Sequence, residues 1–247
     1  MSIFRNVVFV AALAGLVSGV VLTALQTYAT DPLILQAEVY EKAGGGEHDH
    51  AAVPAAGREA AAPAQEHEEE AWAPADGFER FGSNLLARVL SGVGFALILV
   101  AVSEFAGGIA SWRQGLFWGL AGFAVFTLAP GLGLPPELPM MPAADLMERQ
   151  VWWSSTVLAT AAGLAMIAFR RSPVFALLGV ALIVAPHVVG APQPAEYETP
   201  IPEGLHHQFV VAVTMTNLVF WVVLGAATGY FRSRFVGTSE DMRSSFA

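Results

Sequence analysis

The sequence predicts an all-α, polytopic membrane protein, and three observations carry that prediction. Of the 247 residues, 55% are hydrophobic and only 13% charged, too little charge to coat a soluble domain of this size. The mean hydropathy is +0.54. Six apolar stretches approach the length needed to cross a bilayer, about 20 residues for a hydrocarbon core of about 30 Å.

The first stretch, Asn6–Leu25, follows a weakly basic start, Met1–Arg5, and runs on into Thr27-Tyr28. A signal peptide has a shorter apolar core of about 7–15 residues. A retained transmembrane helix is therefore expected over residues 1–30; cleavage as a signal would leave five spans. Residues 31–83 follow as an extracytoplasmic, acidic, histidine-containing loop. Its start, Pro32–Lys42, spaces Leu33, Ile34, Ala37 and Tyr40 as an interfacial helix would. Gly44-Gly45-Gly46 breaks that pattern. Glu47–Ala75 is rich in Ala, Glu, His and Pro and cannot bury a core, so this part is expected to be disordered. Trp72, Phe78 and Phe81 suit the membrane interface.

The other spans are Asn84–Phe105, Gly115–Leu134, Val151–Phe169, Val174–Ala191 and Phe209–Phe231. They make a five-helix bundle over residues 84–231, with a polar tail at 232–247. Trp112 and Trp152-Trp153 fall where interfacial anchors belong. Gly15/Ser18/Gly19, Gly92/Gly94, Gly119/Gly122 and Gly225/Gly229 are small-residue surfaces that let helices approach closely. The third and fifth spans each carry Ala-Pro about two turns before their polar edge, at Pro130 and Pro186. Proline removes a backbone donor and clashes with the carbonyl four residues back, so both helices are expected to kink. The shared pattern suggests that spans two-three and four-five are related hairpins. Paired interrupted helices point to a substrate route.

Orientation follows from the basic residues. Arg5, Arg113, Arg170, Arg171, Arg232, Arg234 and Arg243 fall on one side of the predicted topology. Lys42, Arg58, Arg80, Arg88 and Arg149 fall on the other. The short connections decide it, which places both termini in the cytoplasm and the protein in the cytoplasmic (inner) membrane. The outer side then holds eighteen of the 21 acids, a field that concentrates cations. Arg88 is expected to pair with an acid such as Asp145 or Glu148, and Glu104 to reach water at the inner face.

All six histidines, His48, His50, His67, His187, His206 and His207, fall at the outer side or in the outer part of a span. Glu47-His48-Asp49-His50 alternates carboxylate with imidazole, a ligand set suited to borderline divalent ions such as cobalt, nickel or zinc. A merely solvated polar loop is the plain alternative. His187 follows Pro186 inside an apolar helix. It either hydrogen-bonds a neighbouring helix or a freed carbonyl, or it acts as a transient ligand on a permeation path. His206 and His207 point about 100° apart on a helix and so rarely serve one ion; a headgroup-facing role is open to them. Asn217 is expected to bond across helices, with ion coordination as the other reading.

Much chemistry is excluded. There are no cysteines, so disulfides, zinc–thiolate sites and thiol catalysis are absent. The formal charge of −9 argues against nucleic acid as a partner. There is no phosphate loop, no Ser-His-Asp set and no HExxH helix, so neither nucleotide hydrolysis nor another enzyme activity is expected.

A set of longer motifs is more specific. They include Thr23-Ala24-Leu25-Gln26, the Gly-then-His tract Gly44–His50 and Asp76-Gly77-Phe78-Glu79-Arg80. They continue with Gly119-Leu120-Ala121-Gly122-Phe123, Leu128–Pro139, Arg149-Gln150-Val151-Trp152-Trp153 and Pro186–Pro192. With these, the chain resembles the CbtA family of predicted cobalt transporter subunits, from its first span to its last. The resemblance implies cobalt uptake linked to cobalamin synthesis. It also implies a small one-span partner, CbtB, with histidines of its own. The family's His-rich loop maps onto His48 and His50, with His67 outlying, and His187 lies inside a matching motif. The expected function is a membrane subunit for uptake of a divalent transition metal, cobalt before nickel or zinc. The alternative is a non-transporting metal-binding or assembly subunit. The lipid bilayer is the surrounding partner, and no cofactor is expected beyond the metal itself.

Overall fold

The computed structural model describes residues 2–44, 74–75 and 77–244. These residues form helices and no strands: α1 (Ser2–Ala29), α2 (Asp31–Gly44), α3 (Phe78–Glu104), α4 (Trp112–Phe123), a π-helical turn (Ala124–Leu128), α5 (Ala129–Gly133), α6 (Leu146–Phe169), α7 (Pro173–Val189) and α8 (Glu203–Ser244). The protein is an all-α polytopic membrane protein. Among the described residues, five helices are long and apolar enough to span: α1, α3, the continuous α4–π–α5 segment, α6 and α8. The expected fifth span differs. α7 is apolar but has only 17 residues, which at 1.5 Å per residue spans about 25 Å. Ser172-Pro173 starts it, and Gly190, at φ 88°, ends it.

The helices start and stop for local reasons. Ser111 caps α4 by accepting the Gln114 N–H, and Gln114 Oε1 accepts the Ala110 N–H in return. Asp145 caps α6 by accepting the Glu148 N–H at 3.1 Å. Each cap satisfies a donor that the first helical turn leaves open.

Packing sorts the helices into two groups. α1 lies between α3 and α8, and α8 packs along α4. α6 and α7 form a separate close pair, joined to the rest through the π turn and α5. Glycines set each of three tight contacts. A Cβ on Gly15 would lie 2.3 Å from the Val93 backbone on α3. One on Gly115 would lie 2.2 Å from the Gly225 carbonyl on α8, and one on Gly163 would lie 2.5 Å from the Gly179 carbonyl on α7. Gly94 is an exception among the expected packing glycines, since nothing lies within 4 Å of its missing side chain.

The interior between α1, α3, α4 and α8 is aromatic. Trp221 stacks on Phe126 at 5.7 Å, and Phe95 lies 4.9 Å from Trp221. The Trp221 indole donates to Thr127 Oγ1 at 3.2 Å. The related-hairpin expectation does not hold in the packing. α6 and α7 pack along each other, whereas α3 and α4 barely touch, because α1 and α8 take up their glycine faces.

Each end of the bundle is tied. At one end Arg232 donates twice to Glu104 Oε1, at 2.7 and 3.1 Å, and once to the Ile109 carbonyl at 2.6 Å. Phe9 and Phe235 meet edge to face there. At the other end α2 lies across the helix ends: Ala37 packs with Leu138, Ile201 and Phe209. Asp31 pairs with Arg88 at 3.1 Å, and Glu38 pairs with Arg80. α2 therefore ends, and α3 begins, at this second end.

Candidate functional site

The second end collects the sequence-predicted histidines that the structure describes. His48, His50 and His67 lie outside the described residues, as do most of the loop's carboxylates. His187 sits in the last turn of α7, half-buried, with its ring 5.8 Å from Trp152 at a 73° angle. His206, early in α8, has Nε2 3.2 Å from the Pro136 carbonyl. His207, the next residue, is exposed. Among the described residues, no three His, Asp or Glu side chains converge as they would around a metal ion.

Two expectations about partners are corrected. Arg88 pairs with Asp31 rather than with Asp145 or Glu148. The loop-side end of α3 faces the start of α2, which takes the guanidinium first, while Asp145 is occupied as the α6 cap. Asn217 does not bond across helices: its Nδ2 donates to the Val213 carbonyl of its own helix at 2.9 Å. Thr214 and Thr216 likewise donate to carbonyls one turn back, at 2.7 and 2.8 Å. Glu104, expected to reach water, is 49% exposed and also holds Arg232.

The two prolines behave differently. Pro130 is buried, and the helix ahead of it widens into the π turn. There Ala129 donates to Ala124, five residues back, instead of four. Such a bulge absorbs the donor that proline lacks without breaking the span. In α7 the helix runs on through Pro186 to Val189, and the Pro186 carbonyl accepts the Gly190 N–H at 3.0 Å. The same carbonyl accepts the Trp152 indole N–H at 3.2 Å.

Trp152 is the residue that sequence reasoning placed wrongly. An aromatic pair at the start of a span reads as two interfacial anchors. Trp153 is indeed 40% exposed, but Trp152 is buried to 8%. A Cβ on Gly133, at the end of α5, would lie 2.3 Å from its ring and 3.0 Å from Ala191. The indole thus sits where the two Ala-Pro segments come together. The signal available was the glycine at 133, which leaves room for a ring.

Beside it runs a groove of about 710 Å³ between α6 and α7, walled by Trp152, Ala159, Ala185 and Pro186, with Glu148 and Ser155 as its polar members. His187 is not among its walls. The groove is mostly apolar and suits hydrocarbon better than a bare cation. Three other carboxylates at this end are engaged, Glu137 with Arg149 at 3.0 Å and Asp31 and Glu38 as above.

No match to the chain was found among curated proteins or among solved structures. One family model does match, over residues 4–233, which reaches from the first spanning helix into the last. Its description is "Probable cobalt transporter subunit (CbtA)", and the chain belongs to that family.

Proposed function

We propose that this protein is a membrane subunit for uptake of a divalent transition metal, cobalt first, across the cytoplasmic membrane, and that it is not an enzyme. The match to a cobalt transporter subunit family over nearly the whole chain carries this reading. The fold supports it by bringing His187, His206, His207 and both feet of the acidic loop to one end of the bundle. On this reading that end faces outward. His48 and His50, with His67, gather the ion there, and His187 takes it at the membrane edge. The interrupted segments at Pro130 and Pro186 bound its route, with Asn217 alongside. No energy source lies in this chain. For a divalent cation the membrane potential is worth about 4.6 kcal/mol per 100 mV, sufficient to drive entry without hydrolysis. A small one-span, histidine-bearing subunit is the partner on this reading.

The test is cobalt accumulation in cells lacking other cobalt importers. The wild-type chain should raise it. His48→Ala with His50→Ala should lower it mainly at low cobalt, and His187→Ala at all concentrations. Accumulation unchanged in both variants would remove this site assignment.

A second reading has its own support. The aromatic interior at Phe95, Phe126 and Trp221, and the apolar groove beside Pro186, suit a metal-binding or assembly subunit that conducts nothing alone. The purified chain in liposomes under an inside-negative potential separates the two: cobalt entry favours transport by this chain, and none favours the assembly role.

A further inference from the structure

We propose that Trp152 is a positioning residue for the metal route: its indole holds the His187 ring and both proline-bearing helix ends in one arrangement. The proposal rests on the uptake reading above and names what fixes its membrane-edge histidine.

The argument is geometric. Three things converge on one buried side chain. The Trp152 Nε1–H donates to the Pro186 carbonyl at 3.2 Å, one residue before His187. The indole meets the His187 imidazole 5.8 Å away, at 73°. The ring fills the space left by the absent side chain of Gly133, beside Ala191. An imidazole needs a fixed orientation to present a chosen nitrogen to an ion, and neighbouring groups that lock it are part of the site. Among the described residues no carboxylate pairs with the imidazole; the indole is the ring partner that the structure gives His187. The same side chain ties α6 to the ends of both α5 and α7. A shift at either proline is thereby carried to His187.

Two substitutions loosen this contact while leaving His187 in place. Trp152→Phe keeps a ring but removes the donor. Gly133→Ala keeps the indole but pushes it out of its slot. Trp153→Phe is the control, because Trp153 packs on Phe126 instead.

The first measurement needs no transport. In the purified full chain in detergent, the rate of carbethoxylation at His187 is read by mass spectrometry. The rate should rise about five-fold in Trp152→Phe and in Gly133→Ala, the equilibrium weight of one ordinary hydrogen bond. It should not change in Trp153→Phe. A rate in Trp152→Phe equal to that of wild type overturns the proposal, provided its melting temperature shows it folded.

The second measurement uses cobalt accumulation by cells. Trp152→Phe should raise the half-saturating cobalt concentration, and adding His187→Ala should change it no more than His187→Ala alone. Such non-additivity marks residues acting through one another. Fully additive effects overturn the proposal while the uptake reading stands. Wild-type cells that accumulate no cobalt would sink the uptake reading instead, and the reactivity measurement alone would then decide on Trp152.

Discussion

Arg88 is the residue with the most to lose from a single change nearby. Its side chain is 15% exposed, one guanidinium nitrogen reaches Asp31 at 3.1 Å, and Nη1 is buried without a partner in the described structure. Removing the carboxylate strands a charge in a poorly hydrated place. Asp31→Ala should therefore cost about 1–3 kcal/mol, read as a lower melting temperature of the purified protein. Replacing both residues by leucine should cost less than Asp31→Ala alone, since a missing pair is cheaper than a broken one. A double variant less stable than the single would contradict this. The acid that Arg88 chose was not legible in the sequence. Asp31 lies 57 positions away, and only the fold of α2 over the bundle brings it near. Asn217 teaches the same lesson in reverse. An amide in a span has an acceptor in its own preceding turn, and that local bond won over any partner on another helix.

At the scale of the element, composition and length revealed most of the helices, because lipid leaves a spanning chain few other ways to satisfy its backbone. The interfacial helix after the first span was legible from the spacing of Leu33, Ile34 and Ala37, all three of which belong to its packed side. What could not be read was how proline would be absorbed. Pro130 and Pro186 sit in similar local sequences, yet one span widens into a π turn and the other helix continues for three residues. The difference lies in what each segment packs against. The glycine contacts were readable as a class but not as pairs. Gly225 is the sharpest case. A Cβ there would lie 2.3 Å from the Gly115 carbonyl and 2.7 Å from the Gly119 Cα. Gly225→Ala must part α4 from α8, at a cost of about 1–3 kcal/mol. Gly131→Ala has nothing within 4 Å and should stay within about 0.5 kcal/mol of wild type. Thermal melts of the two variants in one detergent check this; equal losses would mean that the α4–α8 contact is looser than described.

The whole molecule is a bundle with unlike ends. One end is closed by Arg232 on Glu104 and the Ile109 carbonyl. The other carries α2, the feet of the acidic loop, and His187, His206 and His207. The pairing of those ends was legible, since alternating spans send odd and even connections to opposite sides. The meeting at Trp152 was not, because it needs α5, α6 and α7 at once. Everything proposed about uptake depends on which way this asymmetric bundle faces. The chain lacks cysteine, so single cysteines report cleanly. Glu66→Cys and Ser172→Cys, placed in the acidic loop and in the α6–α7 connection, are exposed in turn to a membrane-impermeant maleimide on intact cells. Labelling at 66 and protection at 172 is the predicted result. Labelling at 172 with protection at 66 would put the histidine-bearing end in the cytosol and contradict metal capture from outside.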